Sequence, residues 1–227
     1  MEAEICLSEL NRQEALRYLG NGTQNPSNNL LAMLENCEKE VLEAAHPRYV
    51  YRIFDIEECD RGVKIAGTDF ILYGEDIKRH LKGCKKAVFF AATISAGIDV
   101  LLRRVQVNDV TKAVVTDSRA RVAVEQVCDK FEQIIKNKYS DYYQTFRFGL
   151  GYGDLPLEQQ KDFLKLLNAQ KLIGLYVSES SMLIPTKSVT AVIGLSETQI
   201  TGRARGCQTC NLREKCQFRV KGGHCNG

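Results

Sequence analysis

Apolar positions recur at helical spacing in several stretches of this chain and gather into short β-branched runs between them. Asn11–Gly20 predicts a short helix stopped by glycine. From Asn28 to Ala45 the residues Leu30, Leu31, Leu34, Val41 and Leu42 fall on one helical face, and Pro47 ends the segment. Arg48–Ile56 is rich in β-branched and aromatic residues and predicts a strand; Gly62–Gly67 and Phe70–Tyr73 predict two shorter ones. Glu75–Leu81 predicts a helix, and the apolar run Ala87–Thr93 predicts a strand buried on both faces. Residues 96–105 and 111–137 predict helices. In the second, Ala120, Ala123, Val124, Val127, Phe131, Ile134 and Ile135 make an apolar stripe, with Glu125 on its flank. Asp154 reads as the cap of a further helix, with Pro156 in its first turn, running to about Asn168. Leu175–Ser178 and Ser188–Gly194 predict strands joined by residues 179–185.

Strands and helices alternate without a βαβ rhythm, and no Gly-x-Gly-x-x-Gly follows a strand, so a Rossmann-type nucleotide fold lacks support. The expectation is an α+β fold with a central, largely antiparallel mixed sheet and flanking helices. With 44% hydrophobic residues in 227 the chain can bury a sizeable core. No apolar stretch approaches the ~18 residues of a membrane-spanning helix. The acidic N-terminus lacks a basic region followed by an apolar run, so a cytoplasmic location is expected. A net charge of +3 is too small to argue for nucleic acid. The charge is unevenly placed: residues 203–227 carry six Lys and Arg against the single Glu214, leaving residues 1–202 slightly acidic. The division expected is therefore a body, 1–202, and a basic cysteine-rich tail, 203–227.

Nine cysteines are many for a cytoplasmic chain. Cys6, Cys37, Cys59, Cys84 and Cys128 are scattered and read as small buried or half-buried residues. Cys207, Cys210, Cys216 and Cys225 are crowded, and four thiols in so short a span can wrap a tetrahedral zinc or an iron–sulfur cluster. The neighbouring arginines and Lys215 favour the thiolate form. A second chemical cluster is the run Arg147-Phe-Gly-Leu-Gly151-Tyr152. Its arginine offers two parallel donors to a carboxylate, its glycines allow close approach to the backbone, and its tyrosine presents an aromatic face. By residue type alone the same run also makes an ordinary turn.

The order of motifs narrows the reading. Arg147-x-x-x-Gly151-Tyr152 is followed by Pro156, Leu166-Leu167, Gly174, Ser178-Glu179-Ser180-x-Met182-x-x-Pro185 and Ser188-Val189-Thr190. This series, over about residues 110–195, resembles the activation domain of cobalamin-dependent methionine synthase. The resemblance implies S-adenosylmethionine binding and support of the reductive methylation of inactive cob(II)alamin to methylcobalamin. It implies that Arg147 meets the ligand carboxylate, that Gly151 and Tyr152 lie beside it, and that Glu125 holds its ammonium group. Glu179 and Ser180 are carried by the same series. Two departures stand out: Asn11 falls where the family has a binding aspartate, and Ser196–Thr201 lacks the family's later tyrosine. No Asp-x-His-x-x-Gly cobalamin-ligand motif occurs, so the expected partner is a cobalamin-binding methionine synthase protein acting in trans, with an electron donor the sequence does not name. The chain then acts as a methyltransferase subunit. The alternatives are a non-enzymatic metal-binding regulator, or an activator of another corrinoid methyltransferase.

Overall fold

The computed structural model describes residues 4–20, 25–200 and Glu214. Seven α-helices and nine strands occur in this part of the chain: α1 (Arg12–Tyr18), α2 (Asn28–Ala44), β1 (Arg48–Cys59), β2 (Gly62–Ile65), β3 (Ile71–Tyr73), α3 (Glu75–Leu81), β4 (Lys86–Thr93), α4 (Ala96–Asn108), α5 (Val110–Lys138), β5 (Tyr143–Gln144), β6 (Phe148–Gly149), α6 (Gln160–Leu167), α7 (Ala169–Ile173), β7 (Tyr176–Val177), β8 (Leu183–Ile184) and β9 (Ser188–Ser196). The main sheet has the order β3-β2-β1-β4-β9-β5, with β6 also on β9; the pairs β1–β2, β2–β3, β5–β9 and β6–β9 are antiparallel. The α+β expectation with a central antiparallel sheet holds.

The chain divides into two compact units. One comprises residues 1–51, 90–138 and 160–190. In it α5 packs against α1, α2 and α4. Its stripe is buried at Ala120, Ala123, Val124, Val127, Phe131 and Ile135, while Ile134 is only half-buried. Phe131 stacks on Phe90 at 4.5 Å and tilts against Tyr49 and Tyr51. Into this apolar layer α5 also sends Arg119, 0% exposed. Its Nε donates to Leu34 O and its Nη1 to Leu10 O, both at 3.2 Å, and its Nη2 pairs with Glu38 at 2.8 Å. Burial, first of all, lowers the Arg119 pKa.

The second unit comprises, of the described residues, 52–89, 139–159 and 191–200. It holds β2, β3, α3, β5 and β6, with Phe89 packed edge-on to Phe54 and Phe70. Gly62 belongs to the β2–β3 pairing and admits no side chain, since a Cβ there would lie 1.9 Å from Leu72 O.

Several local expectations change. The predicted 154–168 helix begins later: a single 3-10 turn at Leu157–Gln159 leads into α6, and Asp154 lies outside it. Asn168 adopts φ +53, breaks the helix and starts α7. Residues 179–185 are not a plain connection, because Leu183 and Ile184 pair with Val177 and Tyr176 as a separate two-stranded sheet. Among the scattered cysteines Cys37 and Cys128 are buried and Cys59 and Cys84 half-buried, but Cys6 is exposed, because in that segment its neighbour Ile5 takes the buried side. No helix among the described residues is long and apolar enough to cross a membrane.

Candidate functional site

The run that carries Arg147 is an interrupted edge of the main sheet. Gln144 pairs with Leu195 and Phe148 with Val192. Thr145, Phe146 and Arg147 therefore stand opposite only Ile193 and Gly194, an excess of one residue. This is a β-bulge, a device that bends a strand and re-aims its side chains, frequently next to functional sites. Arg147 is its last residue. The ladder is repaired by a side chain: Gly194 N donates to Thr145 Oγ1 at 2.8 Å while Thr145 N donates to Gly194 O at 3.0 Å.

After β6 the chain folds into a compact turn. Tyr152 N donates to Gly149 O, Leu155 N to Tyr152 O and Gly151 N to Leu155 O. Gly151 at φ +84 and Gly153 at φ +57 supply the left-handed backbone. Gly149 serves a different purpose. Tyr152 folds back over it, so that a Cβ at position 149 would come within 3.3 Å of the ring, and the Phe148 ring meets Tyr152 edge-on at 5.9 Å. Arg147 is half-buried, and Tyr152 leaves 60% of its surface in solvent.

The turn is fixed from outside as well. Asp154 accepts hydrogen bonds from Glu75 N (2.7 Å) and Asp76 N (3.0 Å), capping α3, whose own cap residue Gly74 has no side chain to do so. Asp154 thus caps a helix nearly eighty residues upstream rather than its own, because Gly74 leaves open amides that a carboxylate satisfies well. At the other end of the loop His80, 5% exposed, brings Nε2 to 2.8 Å from Thr145 Oγ1. Its ring lies 4.6 Å from Phe146 and 4.9 Å from Phe148. The Gln159 amide accepts from Tyr73 N (3.1 Å) and donates to Ile71 O (2.5 Å), pairing with the edge of β3 as a strand would. Sequence reading missed His80, Thr145, Gly149 and Gln159, and misassigned the partner of Asp154.

The other predicted residues lie in the first unit. Glu125 is half-buried on α5, and its charge adds to burial, the larger cause, in raising the Tyr18 pKa. Glu179 and Ser180 are exposed at the tip of the β7–β8 hairpin. There Ser178 Oγ lies 2.9 Å from Ser180 Oγ and accepts from Met182 N, and Gln160 Nε2 donates to Ser181 O. Asn11 caps α1 by accepting from Glu14 N at 3.1 Å. Two surface recesses of about 220 and 360 Å³ are lined by Glu40 and Arg104 among others, and by Leu19, Leu30, Val110 and Val114 among others. None of the motif residues lines either. No group of three His, Cys, Asp or Glu suited to a metal occurs among the described residues. Cys207, Cys210, Cys216 and Cys225 lie outside them.

Chemically, the bulge and turn gather groups of the kinds that hold a carboxylate or an aromatic ring. The only carboxylate in residues 145–154 is Asp154, and α3 holds it. The same run supplies a guanidinium, left-handed glycine backbone and an aromatic ring with 60% of its residue's surface in solvent. No protein-family model matches the sequence, and no curated protein does. The chain is similar in fold to a solved structure, the crystal structure of the MetH reactivation domain bound to AdoHcy. The TM-score is 0.50 at 17% identity, over 93% of this chain and 74% of that one.

Proposed function

We propose that this chain binds S-adenosylmethionine at the Arg147–Tyr152 loop and presents it to the cobalamin of a partner methionine synthase protein. The observation that carries the reading is the placement of the arginine motif at a bulge and rigid turn, within a fold similar to a domain known with AdoHcy bound. Arg147 pairs with the ligand carboxylate through its two parallel donors. Tyr152 offers its face to the adenine or the sulfonium. Glu125, Gly151, Glu179 and Ser180 are the further contacts the motif order assigns. One electron from a donor reduces the partner's cob(II)alamin; the reduced cobalt takes the methyl group from the sulfonium, and S-adenosylhomocysteine leaves. The chain's own contribution is positioning, so no side chain need act as a base.

Titration calorimetry with S-adenosylmethionine tests the reading. Arg147→Ala is expected to weaken binding by about 10- to 100-fold, the range of a lost charge-assisted pair. Equal affinity of the wild type and the variant would remove Arg147 from the site. A second reading, a regulator that keeps the fold without the ligand, is favoured by Asn11, whose amide caps α1 where the family places a carboxylate. Absence of wild-type binding at millimolar ligand selects it.

The tail carries a separate proposal. Cys207, Cys210, Cys216 and Cys225 together hold one zinc or one iron–sulfur cluster, and the body, residues 1–202, carries the ligand without them. Anaerobic reconstitution distinguishes the two metals: a visible charge-transfer band marks the cluster, and one equivalent of metal in a colourless protein marks zinc. A metal-free product refutes both.

A further inference from the structure

We propose that His80 is a positioning residue for Arg147, and that α3 acts as the splint on which the binding loop is set. The inference rests on the binding reading above and adds a specific device to it.

One buried ring touches the residues around Arg147. His80 reaches Thr145, the first residue of the bulge, through Nε2, and contacts Phe146 and Phe148, which flank the arginine. Thr145 in turn takes the Gly194 amide, so the imidazole, the hydroxyl and the bulge form one hydrogen-bonded unit. The hydroxyl has one proton and two acceptors in reach, Phe146 O at 3.1 Å and His80 Nε2. When that proton goes to Phe146 O, Nε2 donates; the unit is satisfied either way.

The loop's far end is tied to the same helix. Asp154 binds the first turn of α3, and His80 stands in its last. Arg147 and Tyr152 are therefore suspended between two attachments on one seven-residue helix. The fit leaves no slack: a Cβ on Gly74 would lie 2.4 Å from Asp154 Oδ1, and one on Gly153 would lie 2.2 Å from Asp76 Oδ2.

Plain packing does not explain the choice of side chain. Phenylalanine at position 80 would fill the space between Phe146 and Phe148 without a polar atom to satisfy. Histidine adds a bond to the one residue that sets the bulge. A bulge held from its hydroxyl side fixes the backbone from which the guanidinium extends, and a bidentate pair loses strength quickly when its geometry drifts.

The test is a double-mutant cycle read by calorimetry with S-adenosylhomocysteine on the full chain. The single variants are His80→Phe, which keeps the ring, and His80→Gln, which keeps the hydrogen bond; each is also combined with Arg147→Ala. His80→Phe is expected to weaken binding about tenfold, ~1.4 kcal/mol. In the Arg147→Ala background the same change is expected to cost less than about twofold, because it acts through the arginine. His80→Gln is expected to recover part of the affinity. Amide exchange over residues 145–154 is expected to rise in His80→Phe and not at α5. If the wild type binds and His80→Phe binds equally, or weakens binding as much without Arg147 as with it, the inference fails and the binding reading stands. If the wild type does not bind, the binding reading fails and the positioning role falls with it.

Discussion

Asp154→Ala separates what the local sequence suggests from what the fold does. Asp-Leu-Pro reads as the start of the helix that follows, so the local pattern predicts fraying at residues 157–162. In the structure the carboxylate serves the distant α3 with two hydrogen bonds, at 2.7 and 3.0 Å. Loss of a capping side chain costs about 1 kcal/mol. Loss of the negative charge beside the helix N-terminus adds ~0.3–1 kcal/mol, at the low end here because Asp154 is exposed and screened. The expected total is about 1.5 kcal/mol, or ~3–6 °C in melting temperature for a chain of this size. Asp154→Asn keeps an acceptor for the amides and loses the charge, so its cost is expected to be only about 0.5 kcal/mol. Thermal melts rank the three proteins, and amide exchange locates the damage. Faster exchange is expected at Glu75, Asp76 and Ile77. Acceleration confined to residues 157–162, with α3 unchanged, would refute the cross-element cap.

Three further outcomes follow from the same geometry. Gly74→Ala places a Cβ against Asp154 at a backbone φ of +127, and is expected to cost about 2–4 kcal/mol from strain and the displaced cap, measured by urea unfolding. Arg119→Met takes the guanidinium away from Leu10 O and leaves Glu38 facing an apolar chain; an unfolding free energy lowered by about 3–5 kcal/mol is expected, and a neutral result would show that the pair adds nothing over apolar packing. Tyr18 titrates above the ordinary tyrosine value, through burial first and the charge of Glu125 second. Between its unfolded and folded pKa values the unfolded chain has lost the proton and the folded one keeps it, so this stability is present below the unfolded pKa and disappears as pH rises through the folded one. Tyr18→Phe is expected to flatten that alkaline decline, and Glu125→Gln to lower the Tyr18 titration followed by carbon-13 NMR.

The long elements were legible because their signals are local and repeated. α2 and α5 show helical periodicity over many turns, and β4 and β9 are apolar runs whose character does not depend on their neighbours. The edge strands were not legible. β5 and β6 have two residues each, too short for a period of two to register, and the extra residue between them exists only relative to β9. β8 was hidden in a connection for the same reason. At the candidate site Arg147 and Tyr152 announced themselves by chemistry and by motif order. His80 did not, since its helix reads as an ordinary charged surface segment and only tertiary packing buries the ring. Asp154 gave a true capping signal with the wrong address, because a cap signature specifies an acceptor and not which helix end it meets.

The mounting of the loop bears on whether residues 147–154 are only a turn. Their own three backbone hydrogen bonds close the turn without help. A connecting turn needs nothing more, and surface loops ordinarily stay free of long-range ties. Here the segment carries a bulge repaired by Thr145, a buried imidazole behind it and a carboxylate lodged on another helix. At Gly74 and Gly153, both with positive φ, a Cβ would press against that carboxylate and the one of Asp76. Each tie restricts the sequence and orders the loop, besides what it adds to the stability of α3 and the sheet edge. Yet the tyrosine at the apex of this fixed backbone is left exposed. This combination suits the proposed binding role, since a loop already held in place would lose less freedom when a ligand arrives. The same argument assigns the turn's glycines to the loop's close fit rather than to flexibility, so substitutions there are expected to harm binding by moving the loop, not by stiffening it.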